Sequence, residues 1–184
     1  MLEIIRAALL RRSLRHLLAT QKRRRKTHTL ESARSIGILF DGTEEKDRRD
    51  VLHFAQGLKN PNKKIRLLGF VDIKKTALGQ TQFPQFTQKD QRWNGALHSE
   101  AVQAFLSEPF DLLLCLNSSR ATLVEWVAAA SKAAMKIGTY TDQANDFDIM
   151  LETPAEKGVP FFTDQLDLYL HKIVPSKYES AAAV

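Results

Sequence analysis

Phe110–Leu116 reads FDLLLCL and Ser35–Phe40 reads SIGILF. Each is a short, nearly continuous apolar run bounded by turn formers: Glu108-Pro109 and Asn117-Ser118-Ser119 around the first, Asp41-Gly42 after the second. A strand with one wet face alternates polar and apolar residues, whereas a strand that is apolar throughout is covered on both faces, as in a parallel sheet. Lys64–Val71 (KIRLLGFV) is a third such run, and Phe83–Thr87, Lys136–Tyr140 and Phe147–Leu151 are shorter strand candidates. Helical patterns fall between them. Thr43 stands where it can cap a helix over Glu44–Leu58, and Glu44 and Glu45 suit its positive N-terminal dipole. Ser99 opens a helix through Leu106, Ala121–Met135 is Ala-rich and helical, and Pro160–Val174 is an amphipathic closing helix. Asn60-Pro61-Asn62 is a turn. Strands alternating with helices predict an α/β, three-layer Rossmann-like domain with a mostly parallel sheet over residues 35–176, ending in a frayed tail at 177–184.

The 184 residues carry a net charge of +6, but the charge is unevenly placed. Residues 1–34 hold ten Lys/Arg against two acids, Glu3 and Glu31, a balance of +8; the rest holds 17 against 19, a balance of −2. The composition, with 8 Gly, 6 Pro and 1 Cys, excludes collagen-like and disulfide-stapled chains. A lone Cys115 has no internal disulfide partner and suits a reducing, cytoplasmic setting. No run of 18 apolar residues is present to span a bilayer as a helix.

Outward from the domain, residues 2–20 form a predicted amphipathic helix. At about 100° per residue, Leu2, Ile5, Leu9, Leu10, Leu14, Leu17 and Leu18 share one broad side and Arg11, Arg12 and Arg15 the other. Gln21–Lys26 (QKRRRK) follows, where repulsion between neighbouring charges favours an extended segment. Thr27–Ala33 reads as a linker. The Arg-rich, acid-poor start also fits a mitochondrial transit peptide, while Glu3, Arg6 and the absence of a small-residue cleavage pattern argue against a secretory signal.

Three segments together, SIGILFDGTEEKDRRDVLHFAQGL, KIRLLGFVD and KDQRWNG followed by FDLLLCLN, resemble an uncharacterised family of small bacterial proteins, mainly from Bacteroidota, classed as a domain of unknown function. The resemblance covers most of residues 35–175 and rests on the strand-and-turn pattern with Trp93-Asn94-Gly95 and Phe110-Asp111-Leu112-Leu113. It implies a bacterial cytoplasmic setting and an α/β fold, speaks against the mitochondrial alternative, and supplies no activity or catalytic residue.

The arm is the strongest functional signal. Arg11, Arg12, Arg15, Lys22, Arg23, Arg24, Arg25 and Lys26 form a charge block suited to phosphates, which Arg engages through a bidentate fork with release of counterions. Residues 1–34 contain no Phe, Tyr or Trp, so base stacking is unavailable from the arm. Backbone and shape recognition of structured RNA, ribosomal RNA foremost, follows as the expected partner. An anionic membrane surface is the alternative, served by the Leu/Ile face beside the Arg face but lacking aromatic anchors. A third possibility packs the Leu face on the domain or on a partner protein, and charge runs are often simply solvated.

Chemistry is less visible. Ligands of doubly wound folds collect at strand carboxyl ends. Here those ends carry Asp41, Gly42 and Thr43, then Asp72, then Asn117, Ser118 and Ser119, then Thr141 and Asp142. Such a polar crescent suits a small anion or sugar, although turns and caps require the same residue types. Leu39-Phe40-Asp41-Gly42-Thr43 resembles the D-x-D-G-T motif of aspartate-nucleophile phosphatases, but Leu39 occupies the nucleophile's position. Asp146-Phe147-Asp148 has the D-x-D form of metal–nucleotide-sugar sites, and metals with oxygen ligands need more convergent acids. FDLLLCLNSS and ASKAAMKIGTYT resemble the first domain of two-domain, Rossmann-type glycosyltransferases, with no room for the donor domain. No dinucleotide fingerprint, P-loop or zinc spacing occurs, so neither cofactor nor metal is expected. Cys115 and Trp126 read as core, and Trp93 as a lid over the domain. The expectation is a non-enzymatic protein that holds structured RNA by its arm.

Overall fold

The computed structural model describes residues 2–75, 81–92, 97–116, 121–154 and 156–172. Trp93, Asn117, Ser118, Ser119 and the tail from 173 onward lie outside them. The described elements run α1 (Leu2–Thr20), β1 (Ser35–Asp41), α2 (Glu45–Gly57), β2 (Lys64–Phe70), β3 (Gln85–Phe86), α3 (Glu100–Leu106), β4 (Leu112–Leu116), α4 (Thr122–Ala130), β5 (Met135–Thr139), β6 (Ile149–Leu151) and α5 (Gly158–Lys172). All strand pairs are parallel, in the order β3-β2-β1-β4-β5-β6. This is the Rossmann order, and its direction reverses between β1 and β4.

The apolar runs sit where two-faced burial demands. All five residues of β4 are buried, as are Ile36 to Asp41 of β1. Alternation then sorts them into two layers. Ile36, Ile38, Phe40, Leu112, Leu114 and Ile137 meet α2 and α5 through Val51, Ala55, Phe162 and Leu166. Leu39, Leu68, Leu113 and Cys115 meet α3 and α4 through Val102, Phe105, Val124 and Val127. Leu10 of α1 joins this second layer, so the Leu face of the N-terminal helix folds onto its own domain. Cys115 is free and buried, and that burial raises its thiol above the ordinary range.

Several boundaries differ from expectation. Glu44 rather than Thr43 is the N-cap position of α2 and makes no side-chain cap bond; the Thr43 hydroxyl accepts the Asp72 N–H at 3.0 Å instead. Ser99 occupies the N-cap of α3 without a side-chain bond. The Ala-rich helix stops at Ala130, five residues short of Met135, because Met135 starts β5 in register with Leu112. Residues 27–33 are docked rather than free: Ala33 is fully buried, the Lys63 ammonium donates to Leu30 O, and the Arg34 and Ser35 N–H groups donate to Asp111 Oδ2. Trp126 is half-buried, and its indole N–H donates to Ser13 Oγ on α1 at 3.0 Å.

Candidate functional site

The basic segment is seated against the end of α4 and the β5–β6 connection. A helix leaves its last carbonyls unpaired, and α4 ends without a capping glycine. Here the chain supplies the missing donors from a distance. Gln21 Nε2 donates to Ala130 O at 3.0 Å and Ser131 O at 2.8 Å. The Lys136 ammonium donates to Ala128 O at 2.7 Å and Ala129 O at 3.3 Å. Both put positive or donor character at the negative end of the helix dipole. Lys136 is fully buried in β5 and bonds Asp146 Oδ2 at 2.6 Å; burial pulls its amine below the ordinary lysine value, and Asp146 acts in the opposite sense.

Arg23 completes this cluster. Its side chain is 3% exposed. Nη1 donates to Ala134 O at 2.8 Å and Nη2 to Asp146 O at 2.8 Å, while Nη2 lies 2.7 Å from Asp148 Oδ2 and Nε 3.4 Å from Asp146 Oδ2. The Lys26 N–H adds a backbone bond to Ala134 O at 3.1 Å. Asp146 and Asp148, the D-x-D pair, are thus counter-ions for a buried arginine and a buried lysine. Phe147 between them packs so tightly over Gly138 that a Cβ there would lie 2.6 Å from the ring.

Arg23 is therefore corrected: both its terminal nitrogens donate inside the protein, and its side chain, 3% exposed, faces inward rather than toward a phosphate. The other seven basic residues of the segment, Arg11, Arg12, Arg15, Lys22, Arg24, Arg25 and Lys26, are exposed. Arg25 leans on Asp148 at 3.3 Å while its side chain keeps 63% exposure. Arg11 and Arg15 border a groove of about 640 Å³ shared with Glu125 and Asp142. Lys22, Arg24, Arg25 and Lys26 thus stay exposed on both sides of the inward Arg23.

Of the strand-end crescent, the structure brings Asp41, Gly42, Thr43 and Asp72 together, while Asp142 borders the Arg11 and Arg15 groove. Asp41 Oδ1 accepts the Thr43 N–H at 3.0 Å, the Gly42 N–H donates to Phe70 O at 2.8 Å, and Arg48 Nη1 donates to the Gly42 and Thr43 carbonyls at 2.7 and 2.9 Å. Thr43 then reaches Asp72, whose Oδ1 accepts from Gln88 Nε2 at 2.5 Å. These bonds join the carboxyl ends of β1 and β2. Burial, with Asp41 and Asp50 nearby, raises the Asp47 carboxyl above its ordinary value. On the α5 side, the space bordered by Asp41, Thr139 and Gly158 is about 20 Å³, room for one water at most. Asp72 instead borders a larger cavity on the α1 side.

A family model for a family of unknown function (DUF6913) matches residues 6–173. The chain belongs to that family. The DUF6913 match takes in most of α1 and the whole basic segment as well as the α/β domain, in agreement with the interlocking of the two. No curated protein and no solved structure matches the chain. Among the described residues no helix is long and apolar enough to cross a membrane, and no group of His, Cys, Asp and Glu is arranged to hold a metal ion.

Gln21, Lys136, Asp146 and Asp148 escaped the sequence reading as parts of the arm's seat. The available signal was Lys136 beside an apolar strand with two acids ten and twelve residues later, a buried charge announcing its partners.

Proposed function

We propose that this DUF6913 protein docks on structured RNA, ribosomal RNA foremost, through the basic face of α1 and the segment that follows it. One observation carries the reading: Arg23 is clamped inward and the Lys26 N–H is bonded to Ala134 O, so Lys22, Arg24, Arg25 and Lys26 stay exposed on a segment tied to the domain. A preordered set of cations loses less freedom on binding than a flexible tail. The arm brings no aromatic residue, which favours duplex or folded RNA over stacked single strands. A bacterial cytoplasmic setting belongs to this reading and accords with the free, buried Cys115.

The membrane alternative draws on Ile4 and Ile5, 74% and 51% exposed at the start of α1. Leu10 and Leu14, central to the apolar face, are buried within the protein, which leaves a bilayer little beyond the first turn. Fluorescence anisotropy on a 20-base-pair RNA duplex and flotation with liposomes rich in phosphatidylglycerol separate the two. The reading predicts duplex binding in moderate salt and no flotation; flotation without duplex binding overturns it.

A further inference from the structure

Beneath the first half of α1 lies a cavity of about 410 Å³, bordered by Arg6, Lys74, Lys75, Asp72, Phe70 and Thr122 among others. Its position follows from topology. Phe70 and Asp72 are at and just beyond the carboxyl end of β2, Thr122 opens α4, and the crevice of a Rossmann sheet is the place where ligands collect. Its volume falls within the roughly 300–1,000 Å³ typical of small-molecule sites. α1 forms the roof and is anchored there, with Gln91 Nε2 donating to Arg6 O at 3.1 Å and Trp126 to Ser13 farther along.

Among the described residues the lining is charged in one sense, with Arg6, Lys74 and Lys75 against the carboxylate of Asp72. Arg6 Nε is buried and has no hydrogen-bond partner among the described groups, a costly state for a cationic donor beside a cavity. Among the described residues, Asp72 accepts from Gln88 Nε2 and from the Lys74 N–H, each through Oδ1. A carboxylate at the end of the second strand is well placed to accept from vicinal hydroxyls, and the Phe70 ring supplies an apolar wall.

We propose that this cavity binds a small phosphate monoester carrying vicinal hydroxyls, the chemistry shared by mononucleotides and sugar phosphates. Arg6 and Lys75 take the phosphate and Asp72 the hydroxyls. The site is separate from the outward basic face and does not depend on RNA docking. The missing glycine-rich phosphate loop after β1 restricts the ligand to phosphate held by side chains, which a monoester satisfies and a dinucleotide does not.

Isothermal titration of the full chain with 5′-AMP, ribose 5-phosphate, inorganic phosphate and adenosine tests it. 5′-AMP, ribose 5-phosphate or both should bind saturably in the low millimolar range or tighter, inorganic phosphate about tenfold more weakly, and adenosine not detectably. Whichever of the two binds identifies the source of the monoester. Lys75→Gln, at an exposed position, should weaken binding about tenfold or more. Ala7→Trp should fill the cavity and abolish binding with melting unchanged, while Arg12→Gln on the outer face leaves it intact. No saturable binding of either phosphorylated compound, or equal binding by the wild type, Lys75→Gln and Ala7→Trp, overturns the site. Inorganic phosphate binding as tightly as the esters overturns the role given to Asp72.

Discussion

Replacing Arg23 by Met keeps the length and apolar stem of the side chain and removes its guanidinium. Four hydrogen bonds converge on that group, to Ala133 O, Ala134 O, Asp146 O and Asp148 Oδ2, the last also an ion pair, and Asp146 Oδ2 adds a second ion pair. Removing one member of a buried pair costs roughly 3–5 kcal/mol. The carboxylates of Asp146 and Asp148 retain 21% and 19% exposure and keep Lys136 and Arg25 as partners, which lowers the expected loss to about 2–4 kcal/mol. For a domain of this size that is a fall in Tm of roughly 5–15 °C. Urea denaturation gives the free energy, and hydrogen exchange at the Lys26 amide, bonded to Ala134 O, reports whether the arm has come away. Arg24→Met is the control, since Arg24 is exposed and adjacent, and it should stay within about 0.5 kcal/mol of the wild type. Equal stability of the two variants, with Lys26 still protected in both, would refute the clamp.

Gly138→Ala drives a Cβ to within 2.6 Å of the Phe147 ring and should cost about 1–3 kcal/mol in denaturant titrations, loosening the Asp146–Asp148 turn as well. Gln21→Ala strips two donors from the carbonyls ending α4; a loss of about 1–2 kcal/mol by the same assay is expected. Asp47 has a folded-state carboxyl raised above 3.8, so the folded protein holds its proton more tightly than the unfolded chain and stability falls as pH rises through that window. Asp47→Asn removes this loss, and the Tm difference between variant and wild type should be more favourable at pH 7 than below about pH 4.

The parallel sheet was legible because two-faced burial leaves a plain mark: Ile36–Phe40 and Leu112–Leu116 contain no charged residue, and both lie in central strands. The strand order was not legible, since pairing between β1 and β4 joins segments some 70 residues apart without any local sign. The end of the Ala-rich helix was hidden for a related reason. Propensity favours continuing through Ala133-Ala134, and tertiary demands, the register of Met135 and the donors of Lys136 and Gln21, stop it at Ala130. Among the candidate residues, composition located the basic segment but could not tell an inward arginine from an outward one. Arg23, Arg24 and Arg25 are identical as letters and differ only in what lies beside them. Asp41, Gly42, Thr43 and Asp72 were correctly placed at strand ends, where they bind one another's turns. Arg6, which in the sequence spoke against a secretory signal, borders a cavity from α1.

The salt dependence of binding to duplex RNA tests the central proposal most directly. With Arg11, Arg12, Arg15, Lys22, Arg24 and Lys26 on phosphates, log K against log[KCl] should have a slope near −5. In the triple variant Arg12→Gln, Arg24→Gln, Lys26→Gln the slope should become shallower by about 3, with melting unchanged. Parallel slopes for the two proteins, or affinity indifferent to salt, would contradict the account.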